Sequence, residues 1–321
     1  MDVAAADAEP RNVVVIGSGP AAYTAALYTA RAGLAPLVFE GSLSAGGALM
    51  TARTVADFPG FPMGITGPEL ADELRSQAYR FGAELVSDDI LNADLRGPVK
   101  SVTDTNGTVH RARTVILATG SRPRRLGLPG EEELAGKGVC SGAILDGHTM
   151  RRRDVAVVGG GDSALQEALI LAEVANSVTV VHRRSSLRAA KSLQAAAAAH
   201  PAITFLASAR VAALIGWREL TGLRLCSEPG GGERELMVQG VVVAIGREPR
   251  TELFAGQVDL DEHGYPVIDA PSTRTSLPGV FAAGDVADRH YRQAVTAAAS
   301  GCTAALDVER FLSDACIAPG W

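Results

Sequence analysis

The sequence predicts an α/β fold made of two Rossmann-like dinucleotide-binding domains, and three of its features indicate this. An apolar run at 13–16 enters a G-x-G-x-x-A turn that begins at Gly17 and leads into a helix-forming stretch. A second apolar run, at 155–158, enters a Gly159-Gly160-Gly161 turn in the same manner. Strands that alternate with helices in this way are typical of parallel sheets. Short apolar segments ending near a glycine then recur at 114–120, 240–246 and 279–285.

The domain organisation follows from the order of these segments. A chain of 321 residues can bury two modest cores. In the simplest topology the second unit is inserted into the first, with crossings near Gly120 and Gly246. The expected limits are 1–118 and 247–321 for the two parts of the first domain, and 119–246 for the inserted domain.

The first glycine turn has the chemistry of a nucleotide site. Gly17 permits a sharp exit from the strand, and Gly19 lets the backbone approach a pyrophosphate at the N-terminus of the next helix. The following strand, expected at 36–39, ends in Glu40. An acid about 20 residues beyond the turn is placed to accept a hydrogen bond from a ribose hydroxyl.

The second glycine turn differs at the position of that acid. The strand expected at 177–181 is followed by His182-Arg183-Arg184, and Arg188 comes one turn further on. Cationic side chains at this point favour a ribose that carries a 2′-phosphate, so the inserted domain is predicted to bind NADPH. Each arginine taken alone is typical of a solvated surface, but the cationic residues together, just past a glycine turn, favour phosphate binding.

Composition excludes several functional classes. A net charge of −6 argues against a general nucleic-acid surface. The apolar runs are too short to cross a bilayer, and the acidic, alanine-rich residues 1–10 do not resemble a signal peptide. The four cysteines (140, 226, 302 and 316) have no C-x-x-C or disulfide-like spacing. We therefore expect a cytoplasmic protein with neither a nucleic-acid nor a membrane partner.

The motifs together resemble the low-molecular-weight, bacterial-type thioredoxin reductases of pyridine nucleotide-disulfide oxidoreductase class II, especially those of actinobacteria. The matching stretches are VVVIGSGPAAYTAALY, PLVFEG, GGALM, FPGFP with GITGPEL, ILATGS, VVGGGDSALQEA, VTVVHRR, AIGREP and PGVFAAGDVADRHYRQAVTAAASGC. The resemblance implies a homodimer in which the first domain binds FAD and the inserted domain binds NADPH.

The resemblance also implies the cofactor contacts, with Asp285 holding the ribityl chain of the flavin. The FAD contacts expected are Gly17, Gly19, Pro20, Ala21, Glu40, Gly47, Leu49, Asp57, Ala118, Thr119, Gly120, Asp285, Arg292, Gln293 and Ala294. The NADPH contacts expected are Gly160, Gly161, Asp162, Ser163, His182, Arg183, Arg184, Arg188, Ile245 and Gly246. No metal site is expected.

The sequence departs from the family at the redox centre. Family members carry a C-x-x-C followed by Asp-Gly, whereas Gly142 and Leu145 stand at the two cysteine positions here and Asp146 is retained. Neither side chain forms a disulfide. Cys140, two residues earlier, is more typical of a small buried side chain than of a nucleophile. Near the flavin, Ala48 replaces the usual Gln and Asp57 the usual Asn.

These departures lead to a functional hypothesis. We expect an NADPH-dependent flavoprotein oxidoreductase that is not a functional thioredoxin reductase. It would pass electrons directly to a non-dithiol acceptor, either a small molecule or a redox protein such as ferredoxin. Asp146 is either its acid/base or a residue of an Asp-Gly turn. The alternatives are a flavin oxidase or dehydrogenase acting on a small metabolite without NADPH, and a catalytically silent flavin-binding regulatory protein. The intact His182-Arg183-Arg184 argues against both.

Overall fold

The computed structural model describes residues 9–43, 45–52, 54–140, 142, 150–227 and 230–317. The chain divides into two compact units. Unit 1 comprises Met1–Arg122 and Glu248–Trp321, and unit 2 comprises Pro123–Arg247. Both units contain a parallel sheet with helices, so the predicted α/β class with Rossmann-like sheets is confirmed.

Unit 1 is built on a seven-stranded sheet. Its parallel strands, in spatial order, are β3 (Glu84–Val86), β2 (Leu37–Phe39), β1 (Arg11–Ile16), β6 (Val109–Leu117) and β17 (Val280–Ala282). The antiparallel strands β5 (Lys100–Asp104) and β4 (Ile90–Asp94) extend the sheet from the first half of β6. Alternate residues of β1 enter different cores, which explains why the whole strand is apolar: Val13 and Val15 lie on one face, Val14 and Ile16 on the other.

Three helices belong to unit 1: α1 (Pro20–Arg31), α2 (Gly67–Arg80) and α5 (Ala294–Ile317). Helix α1 packs closely on α5, because a Cβ added at Gly301 would lie 2.2 Å from the Ala21 carbonyl oxygen. Helix α2 begins with a capping box in which Thr66 and Glu69 each satisfy the other's backbone amide. Short 3₁₀ turns occupy Gly47–Thr51, Glu252–Phe254 and Gly284–Val286.

Unit 2 repeats the plan with a five-stranded sheet. Its strands, in spatial order, are β11 (Ile203–Leu206), β10 (Ser177–Val181), β9 (Asp154–Val158), β15 (Gly240–Val243) and β8 (Val139–Cys140). Helices α3 (Asp162–Ala172) and α4 (Lys191–Ala199) supply one core, which includes Val155 and Val157. The other face packs on an antiparallel sheet of β12 (Ala209–Gly216), β13 (Leu220–Ser227) and β14 (Glu233–Leu236).

The chain passes from one unit to the other within two short paired strands. Strand β7 (Ser121–Pro123) pairs with β16 (Arg247–Pro249), and the unit boundaries fall within these strands. Among the helices of the described residues, none has the length and apolar character needed to cross a membrane.

Candidate nucleotide-binding sites

The turn between β1 and α1 requires glycine at its first position. Gly17 has φ +133°, and a Cβ there would lie 2.1 Å from the Ala118 carbonyl oxygen at the end of β6. Gly19 is the N-cap of α1 and makes no side-chain cap, and a Cβ built on it meets nothing within 4 Å. The first amides of a helix lack partners within the helix. The turn therefore presents unshielded donors to open space, which is the requirement of a pyrophosphate.

Other residues expected at the first site gather around this turn. A Cβ at Gly47 would lie 3.3 Å from the Gly19 Cα, so the start of the Gly47–Thr51 turn lies beside the glycine fingerprint. Ala118 donates its amide to the Ile16 carbonyl oxygen at 2.9 Å. Glu40, Gly17, Ala118 and Asp285 follow β2, β1, β6 and β17, so they share the carboxyl edge of one parallel sheet.

Glu40 is more enclosed than its sequence position suggests. Its side chain is completely buried, and Arg75 binds it through two hydrogen bonds, Nε to Oε1 at 2.7 Å and a terminal nitrogen to Oε2 at 3.0 Å. The Tyr23 hydroxyl donates to Oε1 at 2.6 Å. Burial and the neighbouring carboxylate raise the pKa of Tyr23, so its hydroxyl stays a donor. Sequence reasoning missed both partners, because α2 and α1 bring them to Glu40 only in the folded chain.

The segment around Asp285 lies at the end of β17. Asp285 is half-buried in the Gly284–Val286 turn, and the Ser121 hydroxyl donates to its Oδ2 at 3.4 Å. Thr119 and Gly120 are anchored to Arg250: the Thr119 hydroxyl donates to the Arg250 carbonyl at 2.6 Å, and the Gly120 carbonyl accepts the Arg250 amide at 3.0 Å.

Arg292 is held in an unusual conformation just before α5. It has φ +51°, and a terminal nitrogen donates to the Tyr265 hydroxyl at 3.0 Å. Its Nε is buried and has no hydrogen-bond partner among the described residues. The Asp288 carboxylate accepts the amides of residues 290, 291 and 292 at 2.8 to 2.9 Å. Burial acts to raise the pKa of Asp288, but these hydrogen bonds outweigh it and lower that pKa.

The remaining residues expected near FAD have different surroundings. Leu49 is buried in a small apolar cluster with Val55 and Leu70, so its side chain packs inside the unit. Asp57 and Gln293 are exposed, and Ala294 is half-buried at the start of α5.

The turn between β9 and α3 repeats the first one. A Cβ at Gly159, whose φ is +149°, would lie 2.3 Å from the Ala244 carbonyl oxygen. Gly161 is the N-cap of α3, again without a side-chain cap and with nothing within 4 Å of an added Cβ. Asp162 and Ser163 form the first turn of α3. The second unit thus presents a helix N-terminus equivalent to that of the first.

The segment after β10 is tied to this glycine turn. The Gly160 carbonyl oxygen accepts the Arg188 amide at 2.8 Å and the Ala189 amide at 3.2 Å. The Asp162 carboxylate accepts the Ala190 amide at 2.6 Å. Arg183, Arg184 and Arg188 are exposed. Ile245 is partly exposed and Gly246, with φ +107°, follows it beyond β15.

His182 does not behave as the cation that the sequence suggested. Its side chain is buried, and a Cβ at Gly160 would lie 3.3 Å from the His182 Cβ. Burial lowers the pKa of His182, outweighing a hydrogen bond involving the Arg184 backbone. Nδ1 is buried without a hydrogen-bond partner among the described residues. His182 is therefore neutral at pH 7 and offers a ring nitrogen, while the positive charge at this position comes from the neighbouring arginines.

The structure describes only part of the segment where the sequence analysis expected the family's redox centre. Cys140 is buried in β8 opposite Val242 of β15, and Gly142 is buried as well. Leu145 and Asp146 lie outside the described residues, so the predicted acid/base role of Asp146 stays a prediction. Among the described residues, no group of three or more His, Cys, Asp or Glu side chains could hold a metal ion.

Comparisons with known proteins identify the family. The model of the pyridine nucleotide-disulphide oxidoreductase family matches residues 11–301. Thioredoxin reductase of Streptomyces clavuligerus is 57% identical over 303 residues, which cover 94% of each chain. Thioredoxin reductase of Mycolicibacterium smegmatis is 52% identical over 303 residues, covering 94% of this chain and 97% of that one. The crystal structure of Lactococcus lactis thioredoxin reductase is 32% identical, with a TM-score of 0.81, and the match covers 95% of this chain and 99% of that chain.

The fold and its two glycine turns thus define a pyridine nucleotide-disulphide oxidoreductase, and within that group the chain belongs to the low-molecular-weight thioredoxin reductase family. This family uses FAD and NADPH, as the sequence predicted. The described residues fit both cofactors. Each unit has a helix N-terminus with room for a pyrophosphate, and Arg292 Nε and His182 Nδ1 are buried without a hydrogen-bond partner in the described part of the chain.

The predicted acceptor is wrong. We expected a protein that is not a functional thioredoxin reductase and that passes electrons to a small molecule or a redox protein such as ferredoxin. Relatives 57% identical over 94% of the chain are instead thioredoxin reductases. The same finding removes the two alternatives, an NADPH-independent oxidase and a silent regulatory protein. The prediction gave a few altered positions, chiefly Gly142 and Leu145, more weight than the similarity of the rest of the chain.

Proposed function

We propose that the protein catalyses the NADPH-dependent reduction of the disulfide of thioredoxin. In balanced form, NADPH, a proton and thioredoxin disulfide give NADP⁺ and thioredoxin dithiol. The observation that carries the proposal is the 57% identity to thioredoxin reductases over 94% of the chain. Bound FAD supplies the hydride acceptor and the two-electron store that such a reaction needs.

In this proposal unit 1 binds FAD and unit 2 binds NADPH. The N-terminus of α1 receives the FAD pyrophosphate, and Asp285 and Arg292 bind the flavin part. The N-terminus of α3 receives the pyrophosphate of NADPH, and Arg183 and Arg184 bind its 2′-phosphate. Both assignments are supported by the open space at Gly19 and Gly161.

The cysteine positions limit which thiols of the chain could take part in this reaction. Gly142 and Leu145 supply no thiol, and the four cysteines of the chain contain no C-x-x-C pair. Cys140 is the cysteine nearest to them in sequence, and its side chain is buried in β8. We expect Cys140→Ser to leave the reduction of the flavin by NADPH unchanged, because the fold buries this side chain as a small packing residue.

The experiment is anaerobic and has two stages. Purified protein containing FAD is mixed with NADPH, and loss of flavin absorbance is followed. Oxidised thioredoxin is then added, and its new thiols are counted against a control with free FAD and NADPH. Thioredoxin reduction well above that control supports the proposal. A rate equal to the control overturns it, whatever the first stage shows.

Assembly and location complete the proposal. We propose a cytoplasmic homodimer, supported by the resemblance to the bacterial enzymes. Light scattering coupled to size-exclusion chromatography measures the mass directly. A mass near 33 kDa, that of one chain, would contradict the dimer.

A further inference from the structure

Arg292 has a strained backbone that a neighbouring carboxylate holds in place. Its φ of +51° lies in the left-handed region, which costs residues other than glycine stability. Asp288 Oδ1 accepts the amides of His290 and Tyr291, and Oδ2 accepts the amide of Arg292, all at 2.8 to 2.9 Å. The three hydrogen bonds fix the turn at 288–292. Strain of this kind is concentrated at binding sites, where the surrounding structure maintains it.

The side chain of Arg292 is held by a second loop. A terminal nitrogen of its guanidinium donates to the Tyr265 hydroxyl at 3.0 Å. Tyr265 is only 4% exposed. Its own backbone is fixed as well, because the Asp261 carboxylate accepts the Tyr265 amide at 2.9 Å and the Asp261 amide donates to the Tyr265 carbonyl oxygen at 2.8 Å. Arg292 is therefore restrained at its backbone by one loop and at its guanidinium by another.

The turn that carries Arg292 is joined to the nucleotide turn of unit 1. The Gly284 carbonyl oxygen accepts the Asp288 amide at 2.9 Å, and a Cβ at Gly284 would lie 2.7 Å from the Ala21 Cβ in the first turn of α1. A dinucleotide crosses the sheet edge at this helix N-terminus, with its adenosine half beside the second strand. Strand β2 lies on one side of β1, and β6 and β17 lie on the other. The flavin half of FAD therefore extends towards β17 and the turn after it.

We propose that Tyr265 and Asp288 are positioning residues of the flavin half of the FAD site, which hold Arg292 in its binding orientation before the cofactor arrives. The inference rests on the proposed binding of FAD by unit 1 and adds two residues that sequence reasoning missed. A mobile arginine loses side-chain freedom when it binds a ligand, whereas one already restrained by its neighbours loses less. Preorganisation of Arg292 therefore strengthens the binding of FAD.

ADP separates this effect from the rest of the site. It contains the adenosine and the pyrophosphate of FAD but neither the ribityl chain nor the flavin ring. Tyr265 and Asp288 therefore strengthen the binding of FAD and leave that of ADP unchanged. A residue that merely stabilises unit 1 would affect both ligands alike.

The test compares FAD and ADP on the same full-length apoprotein. Isothermal titration calorimetry gives the dissociation constant of each ligand for the wild type, for Tyr265→Phe and for Asp288→Asn, two substitutions that keep the size of the side chain. Tyr79→Phe is the control for Tyr265, since Tyr79 is an exposed tyrosine of α2. Asp269→Asn is the control for Asp288, since Asp269 is an exposed acid of the same unit.

A double-mutant cycle with Arg292→Gln shows whether Tyr265 acts through Arg292. In the wild-type background, Tyr265→Phe is expected to weaken FAD binding about fivefold or more, because it removes a hydrogen bond to a charged group. In the Arg292→Gln background the same substitution should cause no further loss, since the guanidinium is already absent. Asp288→Asn should weaken FAD binding by a similar factor and leave the ADP constant at its wild-type value.

Equal losses for FAD and ADP, or a Tyr265→Phe loss that persists in the Arg292→Gln background, would overturn the inference. An unchanged FAD constant in Tyr265→Phe or in Asp288→Asn would overturn it for that residue. If Asp288→Asn fails to fold, Tyr265→Phe, which keeps the ring, decides alone. A wild type that binds FAD no more tightly than ADP would overturn the proposed FAD site itself.

Discussion

Gly17 and Gly159 occupy the same position in the two units, where neighbouring backbone leaves no room for a side chain. Gly17 and Gly159 each bring the chain within reach of a carbonyl oxygen of a neighbouring segment, that of Ala118 or Ala244. Gly19 and Gly161 instead border open space. Glycine thus serves the fold at the first position of each turn and the ligand at the third. The two requirements can be separated by substitution.

Gly17→Ala should lower the stability of the fold, whereas Gly19→Ala should weaken the binding of FAD. At Gly17 the positive φ and the 2.1 Å approach to Ala118 should destabilise the folded state by roughly 3 kcal/mol or more. At Gly19, where φ is −80°, alanine fits the fold but its methyl group occupies the space meant for the pyrophosphate. We expect normal thermal unfolding of Gly19→Ala apoprotein with weaker FAD binding. A Gly19→Ala protein that binds FAD as the wild type does would contradict this division of roles.

The buried histidine of unit 2 should make stability depend on pH. Because burial lowers the pKa of His182, the folded state stays unprotonated where the unfolded chain, with a pKa near 6.5, takes up a proton. The unfolded state then binds more protons, so the free energy of unfolding falls as the pH drops below about 6.5. Urea unfolding at pH 7.5 and pH 5.5 measures the difference. His182→Gln should show a smaller difference between the two pH values; an equal difference would assign it to other groups.

The elements that form the sites were predictable to different degrees. The glycine turn that begins at Gly17 predicted a helix after it, and the structure has α1 at Pro20–Arg31. The strand predicted at 177–181 is β10 with the same limits. Local pattern is sufficient there, because alternation and capping act within a few residues. The Arg75–Glu40 pair joins residues 35 positions apart, and the neutral state of His182 depends on burial. Neither leaves a local pattern in the sequence.

One contact between secondary-structure elements should influence the affinity for NADPH. The Asp162 carboxylate on α3 accepts the Ala190 amide and so holds the segment that carries Arg188 against the glycine turn. Asp162→Ala removes this hydrogen bond, whereas Asp162→Asn keeps an acceptor at the same place. We expect the alanine variant to lose several-fold in affinity for NADPH, and the asparagine variant much less. If both variants lost NADPH affinity equally, the effect would be due to the charge of Asp162 instead of its hydrogen bond.

The whole molecule combines two nucleotide units that are alike in their turns and different in their charges. Unit 1 has an acid, Glu40, after its second strand, whereas unit 2 has exposed Arg183 and Arg184 at the equivalent point. This contrast was readable from the sequence, as were the family and its cofactors. The acceptor was not predicted correctly. The resemblance predicts cysteines where the chain has Gly142 and Leu145, and the sequence interpretation gave these two positions more weight than the similarity of the whole chain.

The charge contrast predicts the preference for NADPH over NADH. Arg183→Gln combined with Arg184→Gln should weaken NADPH binding about tenfold or more and change NADH binding little, since only NADPH carries the 2′-phosphate. Arg218→Gln is the control, an exposed arginine in the β12–β13 hairpin of the same unit. Stopped-flow reduction of the flavin at varied nucleotide concentration gives both constants. A wild type reduced equally well by NADH would contradict the assignment.

The discontinuity of unit 1 has a consequence for the order of events on the ribosome. Its sheet is complete only when β17 pairs with β6, and α1 is covered only when α5 packs on it. Unit 2, which ends at Arg247, is synthesised before either of those segments. The ribosome needs about 10–40 s to travel from residue 122 to residue 317. During that interval unit 2 can already be folded, whereas the N-terminal part of unit 1 still lacks β17 and α5.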